Sequence, residues 1–279
     1  MSPLRLRMID DMVLASLSPG TQENYIRSVR QLAEHYGQSP AKLAEEQVRQ
    51  YFLYLVLKKE FAKNTLKVKI AGIRFFYERT LGWNWRVLKT AKARGGRRLP
   101  DVLTQEQVRV FLNRVRDPKK RMCLVMIYSC GLRVSEATRL IVQDIDSTRM
   151  LVRVHGKGSK QRFVPLPKPV LHQLRNYWKI DKPKTLFFPG KDPTRPMSND
   201  VVQRCCRVVA RECGIQKKVT PHCFRHSYAT HLLEDGVSIR VIQEILGHSS
   251  CRTTQIYTHI SPKILGDLQT HVDHLVKDL

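Results

Sequence analysis

The chain has 279 residues, 42% of them apolar, and carries 49 Lys plus Arg against 24 Asp plus Glu, for a formal net charge of +25. That apolar share builds real cores and excludes a disordered chain, and the length accommodates two compact domains. Residues 1–97 hold 18 basic and 8 acidic side chains, and the remainder is basic too; this excludes a short electrostatic tether and points to two domains that both meet a polyanion, with nucleic acid the natural one.

A solvated basic surface without a ligand is the plainer reading, but the excess is large for a folded chain of this size. No apolar run approaches the ~18 residues of a membrane span, and the N-terminus, with Asp10 and Asp11 after a short basic stretch, lacks a signal-peptide core. A cytoplasmic protein without a membrane partner is expected. The seven cysteines include no C-x-x-C pair, which suits a reducing compartment. Cys205, Cys206, Cys213, His222 and Cys223 raise the question of zinc, yet adjacent cysteines on a helix point in different directions, so no metal is expected.

In chain order, Ser18-Pro19-Gly20-Thr21 is a helix start, followed by Tyr25, Val29, Leu32 and Ala33 at helical spacing. Leu43, Val48, Phe52 and Leu55 repeat the stripe. Leu66, Ile70, Ile73, Phe76 and Tyr77 do so again, with Lys63, Lys67, Lys69 and Arg74 on other faces. Residues 1–94 thus read as an all-helical, DNA-facing bundle. Residues 95–100, at the end of a Gly- and Pro-containing basic stretch, read as a linker, and 101–279 as a second domain.

That domain opens with a capping signal, Thr104 followed by Glu106 and Gln107, and Met122 to Tyr128 is apolar enough for a buried core helix. Met150–Val154 and Gln161–Leu166 are rich in strand formers and flank the glycine-containing turn 155–160, predicting a β-hairpin with Lys157 near its tip. From Ser261, Ile264, Leu268, Val272 and Leu275 predict an amphipathic tail helix. The fold class is mainly α, with a small β element in the second domain.

Candidate functional residues are weak one by one. Arg133, in Gly131-Leu-Arg-Val-Ser-Glu136, follows a helix end where a guanidinium could hold a phosphate bidentately, although most such arginines are surface charges. His222 and Arg225 stand at i, i+3 and share a face if helical. Leu246-Gly247-His248 and Tyr257-Thr258-His259 add another donor and a phenol, where a lone tyrosine is usually core. Two arginines, a hairpin lysine, histidines and a C-terminal tyrosine in one basic domain, without an acidic cluster for magnesium, together point to metal-free phosphoryl transfer.

In this order the motifs resemble the phage integrase (tyrosine recombinase) family: Gly-Leu-Arg-Val-Ser-Glu, the Gly-Lys-Gly hairpin, His-x-x-Arg-His, Leu-Gly-His and Tyr-Thr-His, across nearly all of residues 99–260. The likeness is to compact Xer-like and transposon-borne bacterial members, and the N-terminal helices resemble that family's core-binding domain. Cys130 and Phe224 stand beside the motifs where other residues are common, and the inserted segment of integron integrases is lacking. The resemblance implies a two-domain C-shaped DNA clamp and a site of Arg133, Lys157, His222, Arg225, His248 and the nucleophile Tyr257.

It further implies a 3′-phosphotyrosine intermediate, Lys157 as general acid to the leaving 5′-oxygen, and no metal, cofactor or ATP. Double-stranded DNA is the implied partner, with a dimer on each site, a tetramer in synapsis and a tail helix packing in trans; a tail folded in cis is the alternative. Physically, Arg133, Arg225 and His248 would stabilise charge on the nonbridging oxygens, and His222 would help deprotonate the phenol. A catalytically silent DNA-binding protein and a type IB topoisomerase are the competing readings; site-specific cleavage and a synaptic complex separate them.

Overall fold

The computed structural model describes residues 2–57, 61, 63–91, 101–156, 161–247, 262–277 and 279. Lys157, His248 and Tyr257 lie outside the described residues. The chain forms two compact units, residues 1–98 and 99–279. It is mainly helical, with one three-stranded sheet among the described residues.

The first unit comprises α1 (Pro3–Leu14), α2 (Pro19–Tyr36), α3 (Glu45–Leu57), α4 (Lys63–Phe75) and the short α5 (Arg86–Thr90). The predicted stripes turn inward: Val29, Leu32, Val48, Phe52, Leu55, Leu66, Ile70 and Ile73 form its core. Helix α2 has Pro19 in its first turn, where a missing N–H costs nothing. Helix α1 precedes the first predicted stripe; Met8 and Met12 anchor it to the same core, and the Ser2 hydroxyl accepts from the Arg5 amide. A π-helical turn, Phe76–Thr80, extends α4 and buries Tyr77, whose hydroxyl donates to the Pro40 carbonyl at 2.8 Å and whose ring stacks on Trp83.

The second unit opens with α6 (Gln105–Arg114), where Thr104 and Gln107 form the expected reciprocal cap, each side chain bonded to the other's amide at 3.1 Å. Helix α7 (Pro118–Ser129) is the core helix foreseen, buried from Met122 through Ser129. The short α8 (Val134–Thr138) follows, then the sheet: β1 (Ile145–Asp146), β2 (Leu151–His155) and β3 (Gln161–Pro165), antiparallel in that order. The predicted hairpin pairs Leu151 with Pro165 and His155 with Gln161; β1 is an addition to it.

Around these lie α9 (Lys168–Asp181), α10 (Asn199–Glu212), α11 (Pro221–Glu234), α12 (Ile239–Leu246) and the tail helix α13 (Pro262–Leu275). Helix α10 sends Cys206 into the core and leaves Cys205 partly exposed, as neighbouring helical positions must. Helix α11 is buried on most sides, held by the Ser227 hydroxyl, which accepts from the Leu103 amide at 2.9 Å and donates to the Cys223 carbonyl at 2.8 Å.

The resemblance implies a tail packed in trans, with docking in cis the alternative. In this chain the second half of α13 folds back in cis: Leu268, Val272, Leu275 and Val276 are buried in the core of their own unit. Gln269 donates to the Leu166 carbonyl at 2.9 Å, and Asp273 accepts from the Lys168 amide at 2.7 Å. The apolar face read from the sequence is therefore satisfied internally; the Ile264 side chain lies outside the described ones.

Candidate active site

The site is built where the ends of α7 and α12 meet α11. Helix α7 stops at Cys130, and Gly131 turns the chain with φ +60°. A Cβ on Gly131 would fall 2.7 Å from the Tyr228 ring and 2.8 Å from Leu246, so backbone conformation and close packing both require glycine. Two residues on, Arg133 caps α8: its amide donates to Glu136 at 2.8 Å, and its guanidinium donates to the same carboxylate at 2.7 Å.

Helix α11 starts at Pro221 and carries His222 and Arg225 in its first turns, confirming a helical i, i+3 pair. Arg225 is buried, 5% exposed, and its two terminal nitrogens donate to the Gly131 and Leu246 carbonyls at 2.5 Å. Burial first, and then the neighbouring Arg133 guanidinium, lower its pKa to about 10, which leaves it charged at neutral pH. Partial burial lowers the His222 pKa below its usual value, with the charges of His226, Arg225 and Arg133 adding to the effect. His222 is therefore neutral near pH 7 and able to accept a proton.

Helix α12 ends in a left-handed Gly247 with φ +62°, the usual place for glycine after a helix. An arginine caps each of its last carbonyls. Arg162 donates to Ile245 at 2.7 Å, Arg225 to Leu246, and Arg133 to Gly247 at 3.3 Å. Cationic donors at the negative end of a helix are favourable twice, as hydrogen bonds and against the helix dipole. The chain proceeds from there into His248 and Tyr257.

The structure thus brings Arg133, His222 and Arg225 together. It adds two residues that the sequence reading did not assign to the site. Glu136 is buried among three arginines: Arg162 holds both of its oxygens, at 2.9 and 2.8 Å, Arg133 shares one, and Arg225 stands 3.7 Å away. Burial alone would raise the Glu136 carboxyl, but the hydrogen bonds and charge of Arg162, with bonds from Arg133, outweigh it and bring it to about 2. Arg162 occupies an inward position of β3, between outward Gln161 and Phe163. Its signal was available, a charged residue on the apolar side of a strand that alternates in period two.

A second buried carboxylate steadies the hairpin. Buried Asp144 accepts from Arg153 at 3.0 Å and is hydrogen-bonded to His155 at 3.1 Å, tying the outer face of β2 to the turn before β1. Among the described residues, no group of three or more His, Cys, Asp or Glu is arranged to hold a metal, and no helix is long and apolar enough to cross a membrane.

Residues 101–263 match the family model described as phage integrase family, and residues 4–87 match that of the phage integrase N-terminal SAM-like domain. The chain belongs to the phage integrase family. This integrase is 42% identical over 265 residues to the integrase/recombinase y4qK of Sinorhizobium fredii, a match covering 94% of this chain and 85% of the relative. It is 32% identical to the tyrosine recombinase XerA of Pyrococcus furiosus, covering 95% and 93%. Its fold resembles that of the Tn1549 transposon integrase in complex with transposon right end DNA, with a TM-score of 0.68 at 18% identity, covering 96% and 98%. As a tyrosine recombinase, the integrase is an enzyme that cleaves and rejoins DNA strands in site-specific recombination.

Proposed function

We propose that this integrase breaks and reseals a phosphodiester through Tyr257, forming a 3′-phosphotyrosine bond as the 5′-oxygen leaves and takes a proton from Lys157 to become a 5′-hydroxyl. Arg133 and Arg225 are fork-shaped donors to the nonbridging oxygens, with His248 as a third, because charge builds on those oxygens as the phenol attacks. His222 takes or shares the phenolic proton. The covalent bond keeps the reactivity of the phosphodiester, so a 5′-hydroxyl from another strand displaces Tyr257 and reseals DNA without metal, cofactor or ATP.

The observation that carries this reading is the capping of α12 by Arg133 and Arg225, which places both guanidiniums at the start of the segment holding His248 and Tyr257. In this proposal, residues 1–94 and 101–279 are a core-binding and a catalytic domain on one duplex, in the cytoplasm. Two protomers occupy each site and four form the synapse, acting in integration, excision, transposition or resolution.

The test is incubation of the purified protein, in EDTA, with a suicide substrate made from the flanking DNA of its element, followed by a denaturing gel. Wild type is expected to form a covalent adduct and Tyr257→Phe none. DNA binding without an adduct at the cognate site would overturn the catalytic assignment in favour of a binding protein.

The lowered His222 pKa sets the acid limb of the reaction. Cleavage is expected to fall with acid along a limb whose midpoint lies below pH 6.5, as His222 protonates and ceases to be a base. His222→Gln is expected to be slower at neutral pH and to lose that limb, read from single-turnover rates across pH. An unchanged limb in the variant assigns the titration elsewhere.

A further inference from the structure

We propose that Arg162 is a positioning residue of this site: by neutralising Glu136 from the hairpin strand β3, it leaves Arg133 and Arg225 to the phosphate and holds the helix end that leads to His248. The inference rests on the proposed function.

The argument is one of charge and geometry. One carboxylate, Glu136, stands among three guanidiniums. Arg162 meets it end-on, with two parallel bonds from its terminal nitrogens, and its Nε donates to the Ile245 carbonyl. Its side chain is as buried as that of Arg225, 7% against 6% exposed, and what sets it apart is that all three guanidinium nitrogens are used. A guanidinium committed on all three nitrogens inside the protein is not the one that reads a phosphate. It cancels the carboxylate, so that two positive charges remain in excess, matched to a phosphodiester gaining negative charge.

Without Arg162, the same carboxylate has two other cations within reach. Arg133 already donates to it at 2.7 Å, and Arg225 is 3.7 Å away. Both would be drawn toward Glu136, because a buried charge takes whatever partner it can. The stem of Arg162 also lies along Gly247, where a Cβ would be 3.2 Å from its Cδ. The strand that leads out of the lysine turn is thereby coupled to the residue before His248. Lysine could supply the charge, but neither the planar fork nor the third bond.

Wild type, Arg162→Gln, Arg162→Lys and the double variant Arg162→Gln/Glu136→Gln are compared for single-turnover adduct formation, duplex affinity, melting, and thermal stabilisation by inorganic phosphate. Arg162→Gln is expected to slow cleavage about 30-fold with duplex affinity within about twofold. Adding Glu136→Gln is expected to recover about tenfold, within the range of coupling between residues in contact. A residue that only packs gives the opposite result, a double variant as slow as Arg162→Gln or slower, and that overturns the proposal.

Phosphate stabilisation is expected to follow the same order without any cleavage, and an equal response in all variants also overturns the proposal. If wild type forms no adduct while the phosphate pattern holds, the recombinase reading fails and the role of Arg162 stands; an adduct without recovery in the double variant is the reverse. Should Arg162→Gln fail to fold, Arg162→Lys decides: cleavage slowed about tenfold at native melting supports the role, and wild-type cleavage refutes it.

Discussion

Arg225→Lys is expected to slow strand cleavage by about 100-fold or more while duplex binding stays close to wild type. Arg225 is anchored by the carbonyls of Gly131 and Leu246, which point its planar fork from α11 toward the ends of α7 and α12. Lysine keeps a positive charge but satisfies only one point at a time, so both the anchoring and the two-pronged contact with a phosphate are weakened. Losing one preorganised donor to a developing oxyanion costs about 3 to 4 kcal/mol of barrier, which is the rate loss given. Binding is spared because affinity for a duplex is spread over many backbone contacts from a chain of net charge +25. Single-turnover adduct formation and a gel shift on the same DNA check it. Equal losses in both would make Arg225 a general binding residue.

Glu136→Ala is expected to destabilise the second unit by about 3 to 5 kcal/mol, the range for removing one partner of a buried ion pair. Arg162, itself buried, would keep its charge with only the Ile245 carbonyl as partner. For a unit of this size, the loss corresponds to a drop in Tm of roughly 10 °C, read by circular dichroism. Glu136→Gln, which keeps volume and one acceptor, should lose less. The acid response follows from the lowered carboxyl: its folded pKa of about 2 lies below the usual 4.5, so its contribution is complete above pH 4.5 and is lost as pH falls toward 2. Glu136→Gln should remove that part of the acid sensitivity.

Much of this was legible in the order of residues. Periodicity placed α2 to α4 and the tail, because an amphipathic helix writes its buried face at a spacing of 3.6, and an unbroken apolar run placed the buried α7. The capping box of α6 and the hairpin were legible for the same kind of reason, local chemistry expressed over a few residues. Helix α1 carries no legible stripe: its core anchors, Met8 and Met12, are sparse among basic and acidic neighbours, so its face shows only against the rest of the bundle. Strand β1 is two residues long, too short to carry a pattern.

By itself the sequence determined the family, the mainly helical class and the positive charge, since motifs in a set order survive without coordinates, and the six proposed site residues rest on those same motifs. The tertiary structure decided which groups Arg133 and Arg225 meet. Glu136 and Arg162 are 26 positions apart, and Arg225 reaches Gly131 across 94; no local spacing encodes such pairs. The same holds for α13, whose apolar face is legible in sequence while its docking in cis is not: amphipathicity states that a face must be covered, and only the packed chain says by what.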